Sequence, residues 1–119
     1  MNIISTILTV LVALLFFYIM YLETFATDSQ STSRVFNISQ EELRKPALNV
    51  LFKNQGIYNG LLGIALLYGA FISNNSKEVV AMLLIYIILV AIYGSLTSDK
   101  KIILKQGGLP ILALISLLF

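Results

Sequence analysis

The stretch NIISTILTVLVALLFFYIMYLE, residues 2–23, decides the fold: it carries no charge before Glu23. At about 1.5 Å per residue it is long enough, as a helix, to cross a hydrocarbon core of about 30 Å. A cleaved signal peptide would begin with a basic region and hold a shorter apolar run. The sequence therefore favours an uncleaved first helix. Three more apolar stretches follow, at about residues 56–73, 79–97 and 102–119. The last is interrupted early by Lys105, Gln106, Gly107, Gly108 and Pro110, and it spans if Lys105 snorkels to the headgroups.

Composition points the same way. Of 119 residues, 58% are hydrophobic and 12% charged, whereas soluble domains are nearer half apolar and a quarter charged. The mean hydropathy is +0.90. A water-soluble fold of this size leaves much of its surface exposed and has too few polar residues here to cover it. The expected fold is all-α: a single-domain, integral membrane four-helix bundle at the cell membrane, multi-pass.

The links at residues 74–78 and 98–101 are short, so helices two to four are antiparallel neighbours. The first connection, residues 24–55, is long, and Asp28 to Ser33 is Ser/Thr-rich and reads as a flexible loop. A helix start follows. Ser39 is an N-cap, Glu42 completes a capping box, and Ile38 with Leu43 forms a hydrophobic staple. Pro46 ends that helix and opens the next. Leu48, Leu51 and Phe52 then share one face, with Asn49 and Lys53 opposite, which predicts a short amphipathic helix at the membrane surface, leading into helix two.

Orientation follows from the cations. If four helices alternate, one side holds Arg34, Arg44, Lys45, Lys53, Lys100, Lys101 and Lys105, and the other holds Lys77. Basic loops stay in the cytoplasm, so both termini lie outside. The formal glycosylation sequon at Asn37-Ile38-Ser39 then falls on the wrong side of the membrane.

Chemistry is sparse. With no Cys and no His, the chain lacks a thiol nucleophile, a disulfide and the commonest general base and metal ligand. No catalytic residue, metal site or cofactor is assigned, and the basic residues are not interleaved with aromatics as in a nucleic-acid interface. Polar residues gather instead at one end of the spans, which this topology makes cytoplasmic: Glu23, Asn54, Gln55, Tyr58, Asn59, Tyr93 and Gln106, with Thr97 and Lys105 beside them. Gln55 and Asn59 are four apart, on one helical face. Such groups face one another or trapped water. One reading is a hydrogen-bonded plug that fixes helix packing, with Glu23 and Lys105 as the ion pair. The other is a pocket for a lipid headgroup or small molecule. Gly56 and Gly60, extended by Gly63 and Gly69, give helix two a low surface for close packing, within the chain or against a second copy. Tyr18, Tyr21, Tyr58 and Tyr93 suit an aromatic belt, whereas Tyr68 and Tyr86 fit it less well.

Several runs carry a resemblance: Val12-Ala13-Leu14, Tyr18 through Ala26, Val35-Phe36, the distinctive Asn54-Gln55-Gly56-Ile57-Tyr58-Asn59-Gly60, Ile92-Tyr93-Gly94, and Gln106 followed by Pro110. Together they cover essentially the whole chain, which resembles the bacterial membrane family called domain of unknown function 1304. The resemblance implies a four-helix, membrane-embedded protein without an assigned biochemical role. Where that family's pattern has a Glu-His pair in helix one, this chain has Leu15 and Phe16.

Three functions compete. A non-enzymatic component that stabilises the bilayer or a partner complex needs only the packing surfaces described. A transporter or binder of a small hydrophobic molecule is the alternative. Small exporters of similar size rely on a carboxylate in the middle of helix one, and that segment is apolar here. A membrane enzyme acting on a lipid-like substrate would depend on Glu23 as its sole acid or base, with no His or Cys beside it. The partners expected are the lipid bilayer, a lipid or small hydrophobic ligand, and a membrane-protein partner or homodimer.

Overall fold

The computed structural model describes residues 1–98 and 106–119, and their regular structure is helical, with no strand among them. Among the described residues six α-helices follow one another: α1 (Ile3–Met20), α2 (Gln30–Phe36), α3 (Gln40–Arg44), α4 (Pro46–Phe71), α5 (Ser76–Thr97) and α6 (Gly108–Ser116). A single π-helical turn, Tyr21–Phe25, continues α1. The chain divides into two compact units, one of Leu14–Gly63 and one of Met1–Ala13 with Ile64–Phe119.

Two stretches, Ile3–Phe25 of 23 residues and Ser76–Thr97 of 22, are long and apolar enough to cross a membrane. Only 33% and 22% of their apolar windows are buried, whereas the core helix of a soluble protein is mostly covered. α1 is apolar on its outer as well as its inner side: Ile7, Leu11, Leu14 and Tyr18 are exposed, while Val12, Ala13, Phe16 and Ile19 are buried together with the small hydroxyl residues Ser5 and Thr9. α4 is longer still, at 26 residues, but Asn49, Lys53, Asn54, Gln55 and Asn59 dilute its first half. The amphipathic lead-in and the second apolar stretch thus form one continuous helix. Of the fourth apolar stretch, the described part holds α6, with Pro110 in its first turn, where no ladder donor is lost.

In the unit formed by Leu14–Gly63, local rules set the helix boundaries. The Ser39 hydroxyl accepts from the Glu42 N–H at 3.2 Å and starts α3. Lys45, ahead of Pro46, is extended at φ −63°, ψ 131°, and ends it. The segment expected to be a flexible loop at Asp28 to Ser33 is instead ordered, and most of it is α2. Ser29 caps that helix by accepting from the Thr32 N–H at 3.1 Å. Thr32, fully buried, donates toward the carbonyls of Ala26 at 2.7 Å and Leu22 at 2.9 Å. The Ser/Thr run thus supplies a cap and an internal hydrogen-bond hub, which is why it folds. Asn37 closes α2 in the left-handed region at φ 56°, a conformation Asn tolerates. Phe36 meets Phe52 of α4 edge to face at 5.3 Å.

In the other unit α5 packs against α6, burying Val80, Leu84, Ile87 and Ala91 on one stripe of α5. Gly69 of α4 permits close approach: an added Cβ would stand 2.9 Å from Val79 and 3.1 Å from Val80. Ser5 and Ser116 join the start of α1 to the end of α6, with Ser116 Oγ donating to Ser5 Oγ at 2.9 Å and Ser5 Oγ to the Ser116 carbonyl at 3.1 Å.

Replacing Thr32 by Val keeps the shape but removes the donor shared by two carbonyls and the partner of Ser29. Thr32→Val is expected to destabilise the folded chain by about 1–2 kcal/mol, read as a lowered midpoint of thermal unfolding in detergent micelles. An unchanged midpoint would show that the hub contributes nothing.

Candidate polar clasp at Glu23

Glu23 lies inside the π turn, and its residue surface is 0% exposed. The turn closes with the Ala26 N–H donating to the Tyr21 carbonyl at 2.9 Å. π turns are wider than α-helical ones and re-aim the side chains they carry. Here the carboxylate points at α4, where both its oxygens are occupied. Gln55 Nε2 donates to Oε2, and Asn59 Nδ2 donates to Oε1 at 2.5 Å. A carboxylate only accepts, so each amide must present its NH₂. That orientation leaves both amide carbonyl oxygens turned away from the carboxylate.

Two glycines make this approach possible. A Cβ at Gly56 would collide with Thr24 Oγ1, and one at Gly60 with Met20 Sδ. With hydrogens in their place, α4 comes close enough for amide side chains to span the gap. Thr24 Oγ1 then donates to the Lys53 carbonyl at 2.9 Å. Below the clasp, Lys53 Nζ donates to Thr27 Oγ1 at 3.1 Å and Asn49 Oδ1 at 2.9 Å. Thr27 Oγ1 in turn donates a hydrogen bond to the Glu23 carbonyl at 2.7 Å. The ammonium thus reaches the Glu23 backbone through one hydroxyl and does not touch the carboxylate. Glu23 makes no ion pair among the described residues, whose pairs are Arg44–Asp28 and Lys45–Glu42. The Glu23–Lys105 pair inferred from sequence lies outside the described residues.

Of the seven residues singled out from sequence, the structure brings three together: Glu23, Gln55 and Asn59. Asn54 and Tyr58 occupy a different side of α4 and are exposed. Tyr93 and Gln106 belong to the other unit, the first exposed near the end of α5 and the second half-buried just before α6. None of the seven borders the open cleft of about 590 Å³ lined by Met1, Asn75, Lys77 and Glu78 among others. No grouping of metal-ligating side chains occurs among the described residues. Thr24, Thr27 and Lys53 are not among the site residues expected from sequence, although Thr27, four residues after Glu23, sits where a hydroxyl reaches back to a helical carbonyl. Phe16, where the resembling family pattern has an ionisable residue, is buried in this chain.

The arrangement is a closed acceptor–donor set, in which a carboxylate fixes two amides and through them the pairing of α1 with α4. Glu23→Leu strands both donors and is expected to cost about 1–3 kcal/mol. Glu23→Gln retains one acceptor oxygen and should fall between parent and Glu23→Leu in unfolding midpoint. Equal midpoints for the two variants would mean that the hydrogen bond retained by Glu23→Gln contributes nothing.

The family model described as protein of unknown function (DUF1304) matches residues 10–118. An uncharacterized protein YpaA of Lactococcus lactis subsp. lactis (strain IL1403) is 66% identical over 119 residues, covering 100% of both chains. No solved structure matches the chain. With nearly its full length under the family model and a bacterial relative of equal extent, this chain belongs to the DUF1304 family.

Proposed function

We propose that the chain is a four-helix integral membrane protein of the cell membrane, with both termini outside and residues 24–55 and 98–101 in the cytoplasm. In this reading it acts without chemistry of its own, as a component that stabilises the bilayer or a partner complex. The observation that carries the proposal is the apolar outer surface of the long helices. The exposed side chains of α1, of the second half of α4 and of α5 beyond Glu78 are nearly all Ile, Leu, Val, Met, Phe or Tyr, while Ser5, Thr9, Glu23, Thr27 and Thr32 are buried. No buried polar side-chain atom among the described residues lacks a hydrogen-bond partner. Water would reject such a surface and lipid accepts it, provided that polar groups are satisfied internally. The cation distribution, seven on one side and Lys77 on the other, supports the orientation.

The Glu23 clasp belongs to this reading as a plug that fixes two helices, with Asn54, Tyr58, Tyr93 and Gln106 as the remaining polar residues of the cytoplasmic end. One observation favours a second reading, a binder or transporter of a small hydrophobic molecule with a polar head. A buried carboxylate without an ion-pair partner among the described residues is costly, and a ligand carrying positive charge would answer it. The enzyme reading draws no support from the geometry: both oxygens of the lone carboxylate are taken up by amides, with no nucleophile–base pair beside it.

Native mass spectrometry of the protein gently extracted from its membrane, beside an Asn59→Leu variant, separates these readings. The plug predicts no retained small molecule in the parent and a lowered unfolding midpoint in the variant. A molecule held by the parent and lost from the variant would overturn it in favour of the binder. Orientation is tested by single cysteines in a chain that has none of its own. Lys77→Cys should react with a membrane-impermeant maleimide added outside intact cells, and Lys101→Cys only after the membrane is opened. The reverse pattern would overturn the topology.

A further inference from the structure

The glycine surface of α4 is used inside the chain, because Gly56, Gly60 and Gly69 each lie against their own helical neighbours. α5 carries an exposed surface with a polar group at its centre. Its buried stripe is Val80, Leu84, Ile87 and Ala91. Turned away from that stripe is a second row, Met82, Tyr86, Leu89, Tyr93 and Leu96, all exposed. The steps along this row are four, three, four and three residues, the spacing of a helix–helix seam.

Tyr86 makes this row more than an apolar face. It is 55% exposed, and its side-chain hydroxyl forms no hydrogen bond to another described residue. It stands at the midpoint of a 22-residue helix, about 16 Å from either end at 1.5 Å per residue. With α5 spanning the bilayer, as proposed above, that distance is about half the hydrocarbon thickness, far beyond the reach of a phenol toward the interface. Tyrosines near the ends of a span meet headgroups. This one meets acyl chains that offer its hydroxyl nothing.

We propose that α5 pairs with α5 of a second copy along the Met82–Tyr86–Leu89–Tyr93 row, about a twofold axis along the membrane normal. That symmetry places Tyr86 opposite Tyr86 at the same depth. A phenol is both donor and acceptor, so the two hydroxyls satisfy one another without any other chemistry, and the same copy brings Met82 and Leu89 to their counterparts. A heterologous partner would need its own hydroxyl or amide at that depth. A second copy supplies it by construction.

The test uses the full chain in its native membrane, where the absence of cysteine makes single-cysteine oxidation unambiguous. Met82→Cys and Leu89→Cys should each form disulfide-linked dimers under mild oxidation, while Leu11→Cys, exposed on α1, should not. In lipid vesicles, Tyr86→Phe removes only the hydroxyl and should lower the association constant by roughly threefold, the effect of one interhelical hydrogen bond in lipid. Its unfolding midpoint should stay unchanged, so that a folding defect is not mistaken for lost pairing. Absence of cross-linking at both row positions, or unaltered association of Tyr86→Phe, overturns the pairing. Reaction of Leu89→Cys with an impermeant maleimide in intact membranes would show that α5 does not span, and would overturn both the pairing and the reading beneath it. An impermeant reagent that fails while oxidation also fails removes the dimer alone.

Discussion

A carboxylate with no exposed surface has to be answered from inside the chain, and the answer to Glu23 organises everything around it. It needs donors, so α4 presents two amides one turn apart. It needs them close, so Gly56 and Gly60 face the end of α1 where any larger residue would intrude. Its own backbone carbonyl also has a partner, supplied by Thr27. Coulombic attraction to a cation is absent from this set among the described residues. Neutral dipoles hold the group instead, and they restrain geometry without neutralising charge.

The same principle of internal satisfaction recurs where no ionisable group is involved. Ser5 with Ser116 joins two helix ends through hydroxyls, and Thr32 gathers two carbonyls left over at the end of the π turn. Small hydroxyl residues do this with little volume, and they leave the outward faces to branched and aromatic side chains. Buried hydroxyls satisfied within the chain and an apolar outer surface on the long helices thus occur together.

Much of this was legible in the residues, and the illegible parts have identifiable causes. The start of α3 at Ser39 and the break at Pro46 follow from caps and proline geometry, which act within four residues. The spacing of Gln55 and Asn59 puts them on one face by helical period alone. Their link to Glu23 is a matter of approach between helices, and the glycines that allow it signalled only closeness, not its partner. The segment after Asp28 has the composition of a loop because Ser and Thr hydroxyls can compete with the backbone. Here Ser29 and Thr32 cap and tie instead, a choice settled by burial. The π turn had no signature at all, since it reports where Glu23 must point rather than any preference of Tyr21 to Phe25.

That π turn fixes a phase. It lets Met20 meet Gly60 and Glu23 meet Gln55 and Asn59 on the same side of the helix, accommodating one residue more than a regular turn. Removing a single residue between Tyr21 and Phe25 would restore an ordinary α-helix without any clash of its own, yet it would swing one of these two contacts by about 100° around the axis. The segment is thus tolerant of changes in side chain at its outward positions and intolerant of changes in count. Its length, more than its composition, sets which side chains meet α4.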